Sequence, residues 1–258
     1  MKKFTAIFFA AVIFALIFTS CDDFFSKSFG KPRKYDVSKI DLNAGNVDKW
    51  IDLAVGNPEL ADALTEKIKQ ELKHAKGKDK AILMDAGVKL AVESSGLGES
   101  ILSNAADLLG NLTDSDGKDL DEVMTDLIKK IRNDFNSKGG KKAANNITAI
   151  VSSDISGTGN GEAPQFGDGY KNTVSPGDVA EAVMVLALAE LGNDSIDDWS
   201  DLDRLDLKYE QGVGFVVIVG SPSPNQITIA AYLNLILNGG SKFDDNPLTS
   251  AFKDAFTS

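Results

Sequence analysis

The sequence predicts an all-α protein, an irregular multi-helix bundle, and three observations carry that prediction. Asn57-Pro58, Ser175-Pro176 and Asn246-Pro247 each stand ahead of an apolar stretch. There a short polar side chain can accept an orphan N–H, and the missing proline donor is not needed. Apolar residues recur at three- and four-residue spacing, the period of a helix with one buried face. The two most hydrophobic stretches, 179–191 and 227–237, are apolar on more than one face, yet each is shorter than the roughly 20 residues a bilayer span needs. They therefore read as core helices. A hydrophobic fraction of 43% supports a packed core rather than a disordered tail.

In chain order, Asn46 is placed to cap a short helix from Val47 to Val55 that Gly56 ends. After Asn57-Pro58 the residues Leu60, Leu64, Ile68, Leu72 and Ala75 form one stripe, with Glu59, Glu66, Lys67, Lys69, Glu71 and Lys73 on other faces. Asp79 is placed to cap a helix through Ser95 whose apolar residues cover most faces, which predicts a central position. Ile101 to Gly110 makes a shorter helix. Asp119 with Glu122 resembles a capping box ahead of the stripe Leu120, Val123, Leu127, Ile131 and Phe135, which Gly139-Gly140 stops. Helix starts recur at roughly 40 residues per pair, near the period of helical repeats. An α-solenoid of helical hairpins is thus the alternative, but no repeat consensus supports it.

Residues 153–175 contain five glycines and little apolar content, which predicts a long exposed loop. An acidic connection around Trp199 follows the helix closed by Gly192. The β-branched run Phe215 to Val219 could form a buried strand if 147–150 or 227–229 paired with it; without such a partner, tertiary context should make it helical. One short strand pair is the most β-structure expected. Ile227 to Leu237 and the segment after Asn246-Pro247 complete the helices.

The N-terminus has a different logic. Lys2 and Lys3 precede an apolar run from Phe4 to Phe18, small residues follow at Thr19-Ser20, and Cys21 is the chain's single cysteine. That is the layout of a signal peptide over residues 1–20, and a lone thiol at its end is best explained by lipidation of Cys21. Residues 21–45 then read as a lipidated N-terminus and tether, and residues 46–258 as a single α-helical domain. Loss of Lys2 and Lys3 with all 38 acidic residues kept would change the net charge from −11 to −13. Such a surface repels nucleic acid and anionic headgroups, so acyl chains rather than charge would hold the protein to its membrane.

The junction Phe18-Thr19-Ser20-Cys21-Asp22-Asp23 resembles a bacterial lipobox in the relaxed form associated with spirochaetes, with Phe18 where an aliphatic residue usually stands. The stretches GNPELADALTEKI and SSGLGESILSNA resemble treponemal lipoproteins of unassigned function. The resemblance implies palmitate or a similar acyl group on Cys21 and a cell-envelope location, either the periplasmic side of the inner membrane or the outer membrane. It implies no catalytic or ligand-binding residue.

A search for chemistry returns little. His74 is the only histidine and lies at the end of a charged helix, where a solvated imidazole favours the helix dipole. One histidine and one lipidated cysteine do not make a zinc site. Setting Gly117 of Asp114-Ser115-Asp116-Gly117 at the sixth position of a calcium loop puts Leu112 and Val123 at the first and twelfth, which removes two principal ligands. Gly157-Thr158-Gly159-Asn160-Gly161 lacks the strand–helix context of a phosphate loop. No metal, cofactor or catalytic residue is expected, and the protein is read as a non-enzyme.

The reading that remains is a lipid-anchored envelope protein that binds or scaffolds another protein. Its contact surface is expected on the glycine-rich loop, at Gly157, Gly159, Asn160, Gly161, Phe166 and Tyr170, because rigid scaffolds commonly present binding loops. The alternative is a carrier of an apolar ligand in a cavity between helices 82–92, 179–191 and 227–237.

Overall fold

The computed structural model describes residues 40–54, 56–95, 129, 132–136, 139–158, 161–191 and 205–244. Cys21, the segment before it, the helix expected over 101–110, most of that over 119–135, the acidic connection and the helix after Pro247 lie outside these residues.

The described chain is mostly helical, with two short antiparallel strand pairs. Its helices are α1 (Val47–Ala54), α2 (Pro58–Leu72), α3 (Gly77–Ser94), α4 (Gly140–Val151), α5 (Asp168–Thr173), α6 (Pro176–Leu191), α7 (Pro224–Asn238) and α8 (Ser241–Asp244). A single 3-10 turn, Ser152–Asp154, links α4 to β1 (Ile155–Ser156), which pairs with β2 (Gln165–Phe166); β3 (Leu207–Glu210) pairs with β4 (Gly214–Val217). Among the described residues no helix is long and apolar enough to cross a membrane.

Several starts form as the sequence predicts. The Asn57 side chain accepts the Leu60 amide at 3.2 Å with Pro58 in the first turn of α2. At α6 the Ser175 hydroxyl accepts the Asp178 amide at 3.1 Å and donates to the Asp178 carboxylate at 2.6 Å. Two caps differ. Asn46 turns backwards, its Oδ1 accepting from the Asn43 amide and its Nδ2 donating to the Asp41 carbonyl. Helix α3 begins at Gly77 rather than after Asp79, which sits inside its first turn; a positive φ at Gly77 lets the helix start three residues earlier. Ser223 and Gln226 form a full capping box at α7, with Pro224 in its first turn.

Helix α3 is central, as its many-sided hydrophobicity predicts. Leu83, Ala86 and Leu90 join a smaller cluster built from α1, α2 and the residues just before them, while Met84, Val88 and Ala91 join the main core. Ile40 and Leu42 are buried in that smaller cluster, so packing reaches back into residues the sequence placed in the tether. The main core brings together α3, α4, α6 and α7, and Phe135 seals it against the start of α4. A Cβ on Gly140 would lie 2.1 Å from the Phe135 ring, so only glycine lets α4 begin there.

Two expectations need correction. Residues 215–217 do not become helical, because 207–210 supply a partner: Tyr209 stands opposite Phe215 and Lys208 opposite Val216. The partner is only four residues long, so the alternation of Leu207 and Tyr209 with Lys208 and Glu210, the period of a half-buried strand, is easily passed over. Residues 153–175 are not one exposed loop either. They contain β1, β2 and α5, and Phe166, Tyr170 and Val174 within them are buried.

Candidate functional site

The glycine-rich segment divides into a buried limb and an exposed tip. Phe166 and Tyr170, expected at a contact surface, are buried. The Phe166 ring lies 4.8 Å from that of Tyr170 and 4.7 Å from that of Tyr232 on α7, and the two tyrosine hydroxyls are 2.9 Å apart. Burial and the facing tyrosine push the Tyr170 hydroxyl well above its ordinary pKa, and burial raises Tyr232 likewise, so both stay neutral. These aromatics fasten the segment to the core. Gly157 and Gly161 belong to the tip, each with a positive φ, and Gly161 is exposed; Gly159 and Asn160 lie outside the described residues.

The base of the segment is clamped as well. The Asp154 carboxylate accepts from Lys80 Nζ at 2.9 Å and from the Gly167 amide at 3.1 Å, joining both ends of the β1–β2 pair to α3.

The residue that positions the far limb is Asn234, which the sequence did not single out. Buried on α7, it donates through Nδ2 to the carbonyls of Pro164 and Phe215, each at 2.9 Å, and accepts the Phe215 amide at 2.7 Å. One side chain thus satisfies backbone groups of both the glycine-rich segment and the β3–β4 hairpin. Gly214 makes the approach possible: it has a φ of +117°, and a Cβ there would lie 2.4 Å from Asn234 Oδ1. The only cue was an asparagine within an otherwise apolar helix.

The result is a composite surface. The tip residues Gly161 and Glu162 are exposed beside a hairpin that exposes Val213 and Ile218, which are 45% and 58% accessible. Val213 sits at the turn of the hairpin, next to Gly214, whereas Ile218 stands beyond its open end, bonded through its amide to the Asp206 carbonyl; of the two, Val213 is the one beside the glycine-rich segment, where Ala163 meets Gly214. Among its described residues this surface has no nucleophile–base pair, and His74 lies elsewhere, exposed just past the end of α2.

The titratable groups with the largest departures are not at this surface. Asp85 on α3 has its carboxyl pushed up to about 7, chiefly by burial and then by Asp178, and its Oδ1 makes no hydrogen bond among the described residues. Glu181 on α6 is raised to about 8 by burial, then by Asp178 and Glu93. Lys242, whose ammonium donates to the Val174 carbonyl, is lowered by burial. Among the described residues no group of three or more His, Cys, Asp or Glu side chains is placed to hold a metal ion. The chain matches no protein-family model, no curated protein and no solved structure.

Proposed function

We propose that this chain is a lipid-anchored cell-envelope protein that works by binding another protein rather than by turnover. One observation supports the reading above others: Asn234 holds the tip of the glycine-rich segment and the β3–β4 hairpin side by side, on a helix buried in the core. A loop fixed at both ends loses little entropy when a partner docks, and the exposed Val213 at the hairpin turn offers it apolar contact. The apolar-carrier alternative is less favoured, because the many-sided faces of α3, α6 and α7 are turned on one another and core burial accounts for them.

The test uses the full chain and a variant in which residues 157–162 become a Gly-Ser linker, leaving Phe166 and Tyr170 in place. Recovery of a defined envelope protein should fall at least tenfold in the variant. Equal recovery from two equally folded proteins would remove this surface from consideration. Anchoring is tested separately, since Cys21→Ala should abolish labelling by a fatty-acid analogue and leave unprocessed precursor.

A further inference from the structure

A concave surface lies on the α2–α3–α4 side, lined by none of the tip or hairpin residues. The end of α2, the start of α3 and the end of α4 enclose an open groove of about 730 Å³, within the size range of small-molecule sites. Four lysines line it, Lys69, Lys73, Lys76 and Lys80, against one acid, Asp154. This reverses the character of the chain. Residues 66–80 contain six lysines and three acids, in a protein whose net charge is −11.

The four ammonium groups are not equivalent. Lys69 is held by Glu66 and Asn146, each at 2.8 Å, and Lys80 by Asp154 at 2.9 Å. Lys73 and Lys76 are exposed and form no ion pair among the described residues. Two positive charges therefore face the groove uncompensated, with two more behind them already oriented. Between them the lining is apolar, from Leu72, Ala75, Ala149 and Ile150. The Lys76 side chain makes no cap bond to α3, whose first residue, Gly77, opens onto the same space, so the positive end of the helix adds to the field.

We infer that this groove binds a phosphate monoester attached to an apolar body, the two free ammonium groups of Lys73 and Lys76 meeting the dianion while Leu72, Ala75 and Ile150 receive the hydrocarbon. Lysine serves as a point-charge partner for phosphate, and two ammoniums match the nearly two negative charges a monoester carries at neutral pH. The apolar lining excludes inorganic phosphate as the best ligand. A soluble monoester and a phosphatidic-acid headgroup share this chemistry.

Titration calorimetry of the full-length protein with phenyl phosphate, inorganic phosphate and phenol tests the inference. Phenyl phosphate should bind saturably, at least tenfold more tightly than either of the others, and more weakly as salt rises. The double substitution Lys73→Gln/Lys76→Gln should weaken it at least tenfold, and Lys73→Arg/Lys76→Arg should restore it. Both positions are exposed, so the fold is retained. Vesicles of phosphatidylcholine with and without phosphatidic acid separate the sources. Retention on phosphatidic acid that the double Gln variant loses assigns the headgroup; phenyl phosphate binding without such retention assigns a soluble ligand. Absence of both, or binding unchanged in the Gln variant, overturns the inference, and inorganic phosphate binding as tightly as phenyl phosphate overturns the role of the apolar lining.

Discussion

Tyr170 and Tyr232, 62 residues apart in the chain, share a 2.9 Å hydrogen bond between two buried hydroxyls, with Phe166 tilted against both rings. Removing one hydroxyl strands the other. Tyr232→Phe should therefore cost about 1–3 kcal/mol in urea unfolding, the penalty of an unsatisfied buried polar group. The double variant Tyr170→Phe/Tyr232→Phe should recover a large part of that loss. A double variant less stable than both single ones by the sum of their losses would mean the hydroxyls do not depend on each other.

Asn234 satisfies three backbone groups. Asn234→Leu keeps a similar volume but orphans the Phe215 amide and two carbonyls, so a loss of about 2–4 kcal/mol is expected. Hydrogen exchange should quicken first at Phe215, whose amide Asn234 holds directly. Exchange that rises uniformly across α3 and α6 instead would show that Asn234 supports the core and not this surface.

Stability should fall with rising pH between about pH 4 and pH 8. Asp85 and Glu181 have ordinary values of 3.8 and 4.5 and folded values of about 7 and about 8. In that window the folded protein keeps protons that the unfolded chain releases, so each group's contribution is full below its unfolded value and is lost as pH rises through the folded one. Asp85→Asn should flatten the curve: near pH 4 it changes little, and near pH 8 it stabilises the protein by on the order of 1 kcal/mol or more. Parallel wild-type and variant curves from pH 4 to 8 would refute this account.

Gly140→Ala places a methyl carbon 2.1 Å from the Phe135 ring, too close for a small adjustment. An overpacking loss of about 1–3 kcal/mol is expected, and Phe135→Leu in the same chain should relieve part of it. Thermal unfolding of the single and double variants measures both.

How much of this was legible in the sequence depends on the range of the interaction. The α2 stripe Leu60, Leu64 and Ile68 is buried as its spacing predicts, and the Asn57 and Ser175 caps form because each needs only residues three positions away. The β3–β4 pair is harder to read because its first strand is only four residues, although Leu207 and Tyr209 already alternate with Lys208 and Glu210. Phe166 and Tyr170 looked like loop aromatics because the residue that buries them, Tyr232, belongs to a distant helix. The lysine groove was equally hidden: its charges lie within 69–80, but its other wall comes from 149–154. Periodicity shows that a face is buried, as in α2, but not which distant residue buries it.

The position of α3 between two unequal clusters has a mechanical consequence. The smaller cluster is made from residues 40–90, and the described part of the larger one otherwise draws on residues 135–243. Any load delivered through the chain ahead of Ile40 meets α1 and α2 first. Those helices can peel away, breaking the Lys69–Asn146 bond to α4 with their packing on α3, while the other face of α3 stays locked in the main core, as contiguous units open separately within a fold. The outer helices would act as a fuse, yielding before the tension reaches Asn234 and the surface it holds in place.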